Sequence, residues 1–153
     1  MMTAKRHNSI NIALIQARES MMAFFRPIFN QHNITEQQWR IVRLLAENGT
    51  LDFQDLANKA CILRPSLTGI LTRLEKINYV VRLKPTNDQR RVFLKLTKDG
   101  EQLYNDVRRK IDEQYDVIEE LMTPQKMQEL NDVLNLMIEI RDPKQAYDDN
   151  VAV

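Results

Sequence analysis

Apolar residues recur at Ile10, Leu14, Ala17, Met21, Phe24/Phe25 and Ile28, the three-and-four spacing that gathers them on one face of a helix. Pro27, near the end of that stretch, is expected to bend or crowd it, because proline lacks an amide donor and clashes with the preceding turn. Thr35-Glu36-Gln37-Gln38 then has the form of a capping box, Thr35 taking an exposed amide while Gln38 reaches back. The helix it opens turns Trp39, Val42, Leu45 and Ala46 inward and ends at Asn48-Gly49. Thr50-Leu51 reads as a short extended link, and Asp52 as the cap of a third helix that buries Leu56, Ala57 and Ala60. A fourth helix opens at Arg64-Pro65, since a first-turn proline gives up an amide with no helical partner. Its inward residues are Leu67, Ile70, Leu71, Leu74 and Ile77.

The period then changes to two. Val80 to Lys84 and Val92 to Leu96 alternate as paired strands, with Val81/Leu83 and Val92/Leu94/Leu96 expected inward. Pro85-Thr86-Asn87-Asp88-Gln89-Arg90-Arg91 forms a polar hairpin tip between them. After Lys98-Asp99-Gly100 a long helix carries Leu103, Val107, Ile111, Tyr115, Ile118 and Met122 on one stripe, and Thr123-Pro124 breaks it. A last helix follows with Met127, Leu130, Leu134, Met137 and Ile138. These stripes exceed what a compact module needs to cover itself, so the terminal helices are expected to pack on a second subunit. The class this predicts is mainly α with a small β wing.

Charge sharpens the picture. Between Ile62 and Lys98 nine lysines and arginines stand against Glu75 and Asp88 alone, a local balance of +7 in a chain whose total is +1. A polyanion should meet that middle stretch and be repelled by the acidic C-terminal third. On the fourth helix, Pro65, Gly69, Thr72 and Lys76 form the face opposite the apolar stripe, with Thr68 and Arg73 on its flanks. Gly69 costs about 0.5–1 kcal/mol relative to alanine in a helix interior. Close packing against another helix would account for it, but its place away from the apolar stripe favours close approach to an outside surface. The basic hairpin tip reads either as a ribbon that enters a groove of DNA or as a solvated edge; beside such a helix the groove reading is preferred.

Composition limits the chemistry. Cys61 stands alone, so no internal disulfide forms, and its apolar turn suggests a buried small side chain rather than a redox sensor. His7 and His32 make no ligand cluster with it, and neither a nucleophile with a base nor a phosphate-binding glycine loop is present. Neither a metal nor another cofactor is expected, nor an enzyme. The polar N-terminus and the lack of a membrane-length apolar run point to the cytoplasm, with no membrane partner.

A helix-turn-helix with a wing, set between dimerising helices, resembles the MarR family of bacterial transcription regulators over nearly the whole chain. Its most specific marks are Asp88-x-Arg90 and Leu96-Thr97-x-x-Gly100. The resemblance implies that Asp88 orients Arg90, which enters the minor groove. It divides the chain into an N-terminal helix for dimerisation and a ligand pocket (1–34), a winged helix-turn-helix DNA-binding domain (35–98), C-terminal dimerisation helices (99–142) and a disordered tail (143–153). Three stretches, Thr35 to Arg43, Cys61 to Arg73 and Leu83-Lys84-Pro85 before Asn87 to Arg90, resemble the branch that represses homoprotocatechuate (3,4-dihydroxyphenylacetate) degradation operons. That narrower likeness implies an aromatic acid as inducer.

Roles follow as expectations. Arg64, Pro65, Ser66, Thr68, Gly69, Thr72 and Arg73 belong to the recognition helix, arginine reading guanine and the hydroxyls taking bases or phosphates. Lys76, Lys84, Arg91 and Lys95 are assigned to phosphates, and Gln89 to the wing. A homodimer would set two such helices on half-sites of a near-palindromic operator in double-stranded DNA. For a small aromatic carboxylate, Arg18 is the first choice of cation, because no carboxylate lies at its helical neighbours whereas Arg40 has Glu36 and Arg43 has Glu47. Met21, Met22, Phe25 and Trp39 are candidate walls, and His32, Arg26, Arg40 and Arg43 alternatives to Arg18. Equally, Arg18 could pair with an acid across the dimer. Two rival readings are a ligand-independent architectural DNA-binding protein, with a steep salt slope and little specificity, and a helical module that binds an acidic protein.

Overall fold

The computed structural model describes residues 3–85, 87 and 90–140. Its elements are α1 (Thr3–Gln31), α2 (Glu36–Asn48), β1 (Leu51–Asp52), α3 (Phe53–Ala60), α4 (Arg64–Lys76), β2 (Val80–Leu83), β3 (Phe93–Leu96), α5 (Lys98–Met122) and α6 (Pro124–Glu139). The sheet is antiparallel in the order β1-β3-β2. This is the mainly helical architecture with a small wing that the periodicity predicts.

Local chemistry sets the boundaries. Thr35 Oγ1 accepts from the Gln38 amide and Gln38 Oε1 from the Thr35 amide, both at 3.0 Å, so the capping box that opens α2 is complete. The Asp52 side chain accepts from the Asp55 amide at 2.8 Å and opens α3. Pro65 occupies the first turn of α4, and α1 continues four residues past Pro27. Thr97 Oγ1 accepts from the Gly100 amide at 3.0 Å and donates to the Asn78 carbonyl at 2.6 Å, tying the start of α5 to the end of α4. A Cβ on Gly100 would collide with the Tyr79 carbonyl oxygen, which gives the Leu96-Thr97-x-x-Gly100 signature a steric reason.

One core joins these elements. Ile41 and Val42 of α2, Leu56 of α3, Leu67, Leu71 and Leu74 of α4, Leu94 of β3 and Val107 and Ile111 of α5 are buried within it. Each such side chain contributes roughly 1.5–3 kcal/mol relative to exposure. The two ends differ. Ile10, Ile12, Leu14 and Ile15 of α1 and Val133, Leu136 and Ile138 of α6 are exposed, and α6 buries none of its residues against this chain.

Several expectations require correction. In β2 it is Val80 that is buried, while Val81 and Leu83 are exposed. The register explains it, because Val80 lies opposite Leu96 and Arg82 opposite Leu94, and directly paired residues share a face. Ile77 is exposed because α4 ends before it and the chain turns through Asn78 at φ 65°. Cys61 is exposed too: it closes α3 in the left-handed conformation at φ 54°, which swings its side chain out of the core. Leu51 does not end a mere link but pairs with Leu94 as a third strand. Ala46 is only half-buried, Met122 is exposed, and the first helix begins at Thr3 rather than near Ile10. The expected tail after 142 lies outside the described residues.

Candidate nucleic-acid interface and ligand pocket

The outward face of α4 is as polar as its spacing predicts. Pro65, Ser66, Thr68, Gly69, Thr72, Arg73 and Lys76 are all exposed. Thr68 Oγ1 donates to the Arg64 carbonyl at 3.0 Å and Thr72 Oγ1 to the Thr68 carbonyl at 2.9 Å, which fixes both hydroxyls and leaves their oxygen lone pairs facing outward. Among the described residues nothing beyond the helix's own backbone lies within 4 Å of a Cβ built on Gly69, so packing against another element does not account for the glycine. Arg64 differs from its neighbours. It is half-buried, with Nη1 donating to Gln54 Oε1 at 2.8 Å and the guanidinium 5.0 Å from the Phe53 ring centre, so it braces α4 against α3.

In the wing, Lys84, Arg90, Arg91 and Lys95 are exposed. Asp88 and Gln89 lie outside the described residues. Arg91 folds back: its Nη2 is 3.2 Å from Asp52 Oδ2, and its guanidinium sits 4.8 Å from the Phe93 ring centre. Asp52 therefore caps α3 and holds the root of the wing with one carboxylate. The Asp55 amide, more than Arg91, keeps that carboxyl below its ordinary pKa, against a smaller opposing effect of burial. Arg82 pairs with Glu75, joining β2 to α4.

Between α1, α2 and α5 lies a cavity of about 320 Å³. Arg18, Met21, Met22, Phe25 and Phe29 line it from α1, Glu36, Trp39, Arg40 and Arg43 from α2, and Ile111 and Tyr115 from α5. Seven expected ligand residues meet here: Arg18, Met21, Met22, Phe25, Trp39, Arg40 and Arg43. His32 does not. It lies 3.0 Å from Lys110 Nζ, and burial, then that ammonium, lower its pKa against the pull of Asp106. Arg26 is also elsewhere, paired with Glu19 at 2.6 Å.

The reason for preferring Arg18 fails, since Glu36 of α2 reaches it at 3.0 Å. Glu36 also holds Arg40 at 2.6 Å, and Arg40 donates to the Ala60 carbonyl at 2.7 Å. Arg43 Nε donates to Glu47 Oε1 at 2.8 Å, and Glu47 is not part of the lining. The cavity thus presents three guanidiniums against one carboxylate among aromatic and thioether walls. Sequence reasoning missed four of its residues. Phe29 continues the Met22–Phe25 spacing, and Ile111 and Tyr115 stand four apart on the α5 stripe, so these were within reach. That Glu36 would face Arg18 was not, because the contact crosses helices.

A family model, that of the MarR family, matches residues 34–92, from the residue before the α2 cap to the residue before β3. The HTH-type transcriptional regulator FarR of Neisseria gonorrhoeae is 67% identical over 142 residues, covering 93% of this chain and 97% of that protein. The homoprotocatechuate degradative operon repressor of Escherichia coli is 55% identical over 139 residues, covering 91% and 94%. Among solved structures, NadR in complex with 4-hydroxyphenylacetate superposes with a TM-score of 0.78 at 69% identity, covering 87% of this chain and 94% of that one. The polar outward face of α4, the basic wing and identities of 67% and 55% over nearly the full length of two transcription regulators lead to one conclusion: the chain belongs to the MarR family of winged helix-turn-helix transcription regulators.

Proposed function

We propose that the protein is a dimeric repressor of an aromatic-acid operon, released from a palindromic operator by a small phenolic carboxylate. The observation that carries this reading is the cavity, whose walls suit a ring and whose polar groups supply a carboxylate acceptor at Glu36 and a guanidinium donor at Arg43. Glu36 is shared by Arg18 and Arg40, and its carboxylate gives that end an acceptor for a phenolic hydroxyl. Arg43 has its carboxylate partner outside the lining and is the less exposed of the two arginines not doubly held. It therefore receives the ligand's carboxylate, and Arg18, first choice on sequence grounds, serves to hold Glu36. Homoprotocatechuate, whose degradative operon one relative represses, and 4-hydroxyphenylacetate, held by NadR, both pair a phenol with a carboxylate.

Two α4 helices would enter successive major grooves, Ser66, Thr68, Thr72 and Arg73 reaching the bases, with Lys76, Lys84 and Lys95 on phosphates and Arg90 in the minor groove. Ligand releases DNA only by binding better to a form whose recognition helices are mis-spaced for the operator. The exposed apolar faces of α1 and α6 support pairing of two copies. Trp39, the chain's one tryptophan, lines the cavity, so its fluorescence tests the reading. Saturable change with 3,4-dihydroxyphenylacetate or 4-hydroxyphenylacetate, and none with phenol or acetate, is expected. Equal response to phenol would remove the carboxylate from the account.

A further inference from the structure

Behind the cavity lies a group of side chains that ligand recognition does not use. Tyr104 of α5 is buried and stacks on Trp39, with ring centres 5.7 Å apart and planes 14° from parallel. Its hydroxyl stands 3.5 Å from Glu47 Oε1, the same oxygen that accepts from Arg43 at 2.8 Å. Two donors thus face one acceptor, and the arginine holds it. On its other side Tyr104 lines a separate cleft of about 370 Å³ shared with Lys95 and Leu96 of β3. One ring therefore stacks on a wall of the ligand cavity and lines a cleft shared with the strand that carries the wing.

We infer that Glu47 and Tyr104 form the arm through which occupancy of the ligand cavity is felt at the wing. The inference rests on the ligand-released reading above. A carboxylate at Arg43 competes with Glu47 for the guanidinium, and as Arg43 turns to the ligand, Glu47 Oε1 becomes available to the Tyr104 hydroxyl. A gap of 3.5 Å is long for a bond between a hydroxyl and a carboxylate, so the hydroxyl shifts to reach the roughly 2.5–2.7 Å such bonds prefer. The ring is stacked on Trp39 and walls the cleft under β3, so that shift moves the surroundings of Lys95 and Leu96. Both residues are positioning groups, since neither lines the ligand cavity.

The test compares wild type, Tyr104→Phe and Glu47→Gln by two titrations. Ligand affinity is read from Trp39 fluorescence with 4-hydroxyphenylacetate, and operator affinity from anisotropy of labelled upstream DNA with and without it. Tyr104→Phe keeps the stack and removes only the hydroxyl. The expected result is ligand-free operator affinity and ligand affinity within about twofold of wild type, with the ligand's weakening of operator binding, typically about 5–150-fold for such couplings, cut at least threefold. Glu47→Gln, which keeps the side chain's shape, should reduce the same ratio. Undiminished coupling in both variants overturns the inference, as does a loss of ligand affinity with coupling intact, which would make the pair a packing element. A wild-type protein whose operator binding ignores the ligand would instead sink the functional reading itself.

Discussion

Arg18 Nη2 and Glu36 Oε1 stand 3.0 Å apart although one belongs to α1 and the other to the first turn of α2. The pair stands at one end of the cavity, where Arg18 and Arg40 are both committed to Glu36 and its carboxylate can accept from a hydroxyl. Arg43→Ala is therefore expected to lower affinity for 4-hydroxyphenylacetate by about 10- to 100-fold, the equivalent of a lost hydrogen bond to a charged group. Arg18→Ala, which leaves Glu36 to Arg40, should cost less. Trp39 fluorescence titration of the two variants measures the order; a larger loss at Arg18 would place the carboxylate there instead.

The glycines of α4 and α5, Gly69 and Gly100, should respond oppositely to alanine. At Gly69 the site is open, so Gly69→Ala should raise stability by about 0.5–1 kcal/mol and still weaken operator binding, because the methyl meets DNA rather than protein. At Gly100 the methyl meets the Tyr79 carbonyl, and Gly100→Ala should destabilise by about 1–3 kcal/mol. Urea denaturation and operator anisotropy on both variants separate the effects.

Asp52 gives the wing a dependence on pH. Its folded pKa is depressed, chiefly by the Asp55 amide, so its contribution is fully present above the unfolded carboxylate value of about 3.9. That contribution is lost as pH falls through the folded value. Asp52→Ala should cost roughly 0.5–2 kcal/mol near neutrality, as for loss of a helix cap, and the difference from wild type should shrink in strongly acidic solution. Denaturant midpoints measured across that range test the sign.

Self-association should depend on the uncovered face of α6. Leu136 is 68% exposed, more than an apolar interface residue should be in the protein's working state. Leu136→Glu is expected to shift a dimer toward monomer in sedimentation equilibrium and to weaken operator binding with it. A variant that remains dimeric would assign the contact to another face.

Most of the helical frame was legible because it rests on local chemistry. The Thr35 box, the Asp52 cap, Pro65 in a first turn and the Leu67/Leu71/Leu74 stripe each depend on residues three or four apart. Cross-chain geometry was not. The inward face of β2 was set by its pairing with β3, so its own alternation gave the wrong parity. Cys61 lies in an apolar run, but a left-handed helix end turned it out. The cavity was largely readable, since its α1 and α2 walls follow helical spacing, whereas the partner of Arg18 came from a neighbouring helix that no spacing connects to it.

The most direct measurement is fluorescence anisotropy of the DNA upstream of the protein's own gene and its neighbours, at near-physiological salt, with and without 4-hydroxyphenylacetate or 3,4-dihydroxyphenylacetate. The expected result is tight, saturable binding that exceeds binding to random DNA and is weakened by at least one of the two acids. Binding that is equal on random DNA, or tight binding that neither acid alters, would contradict it.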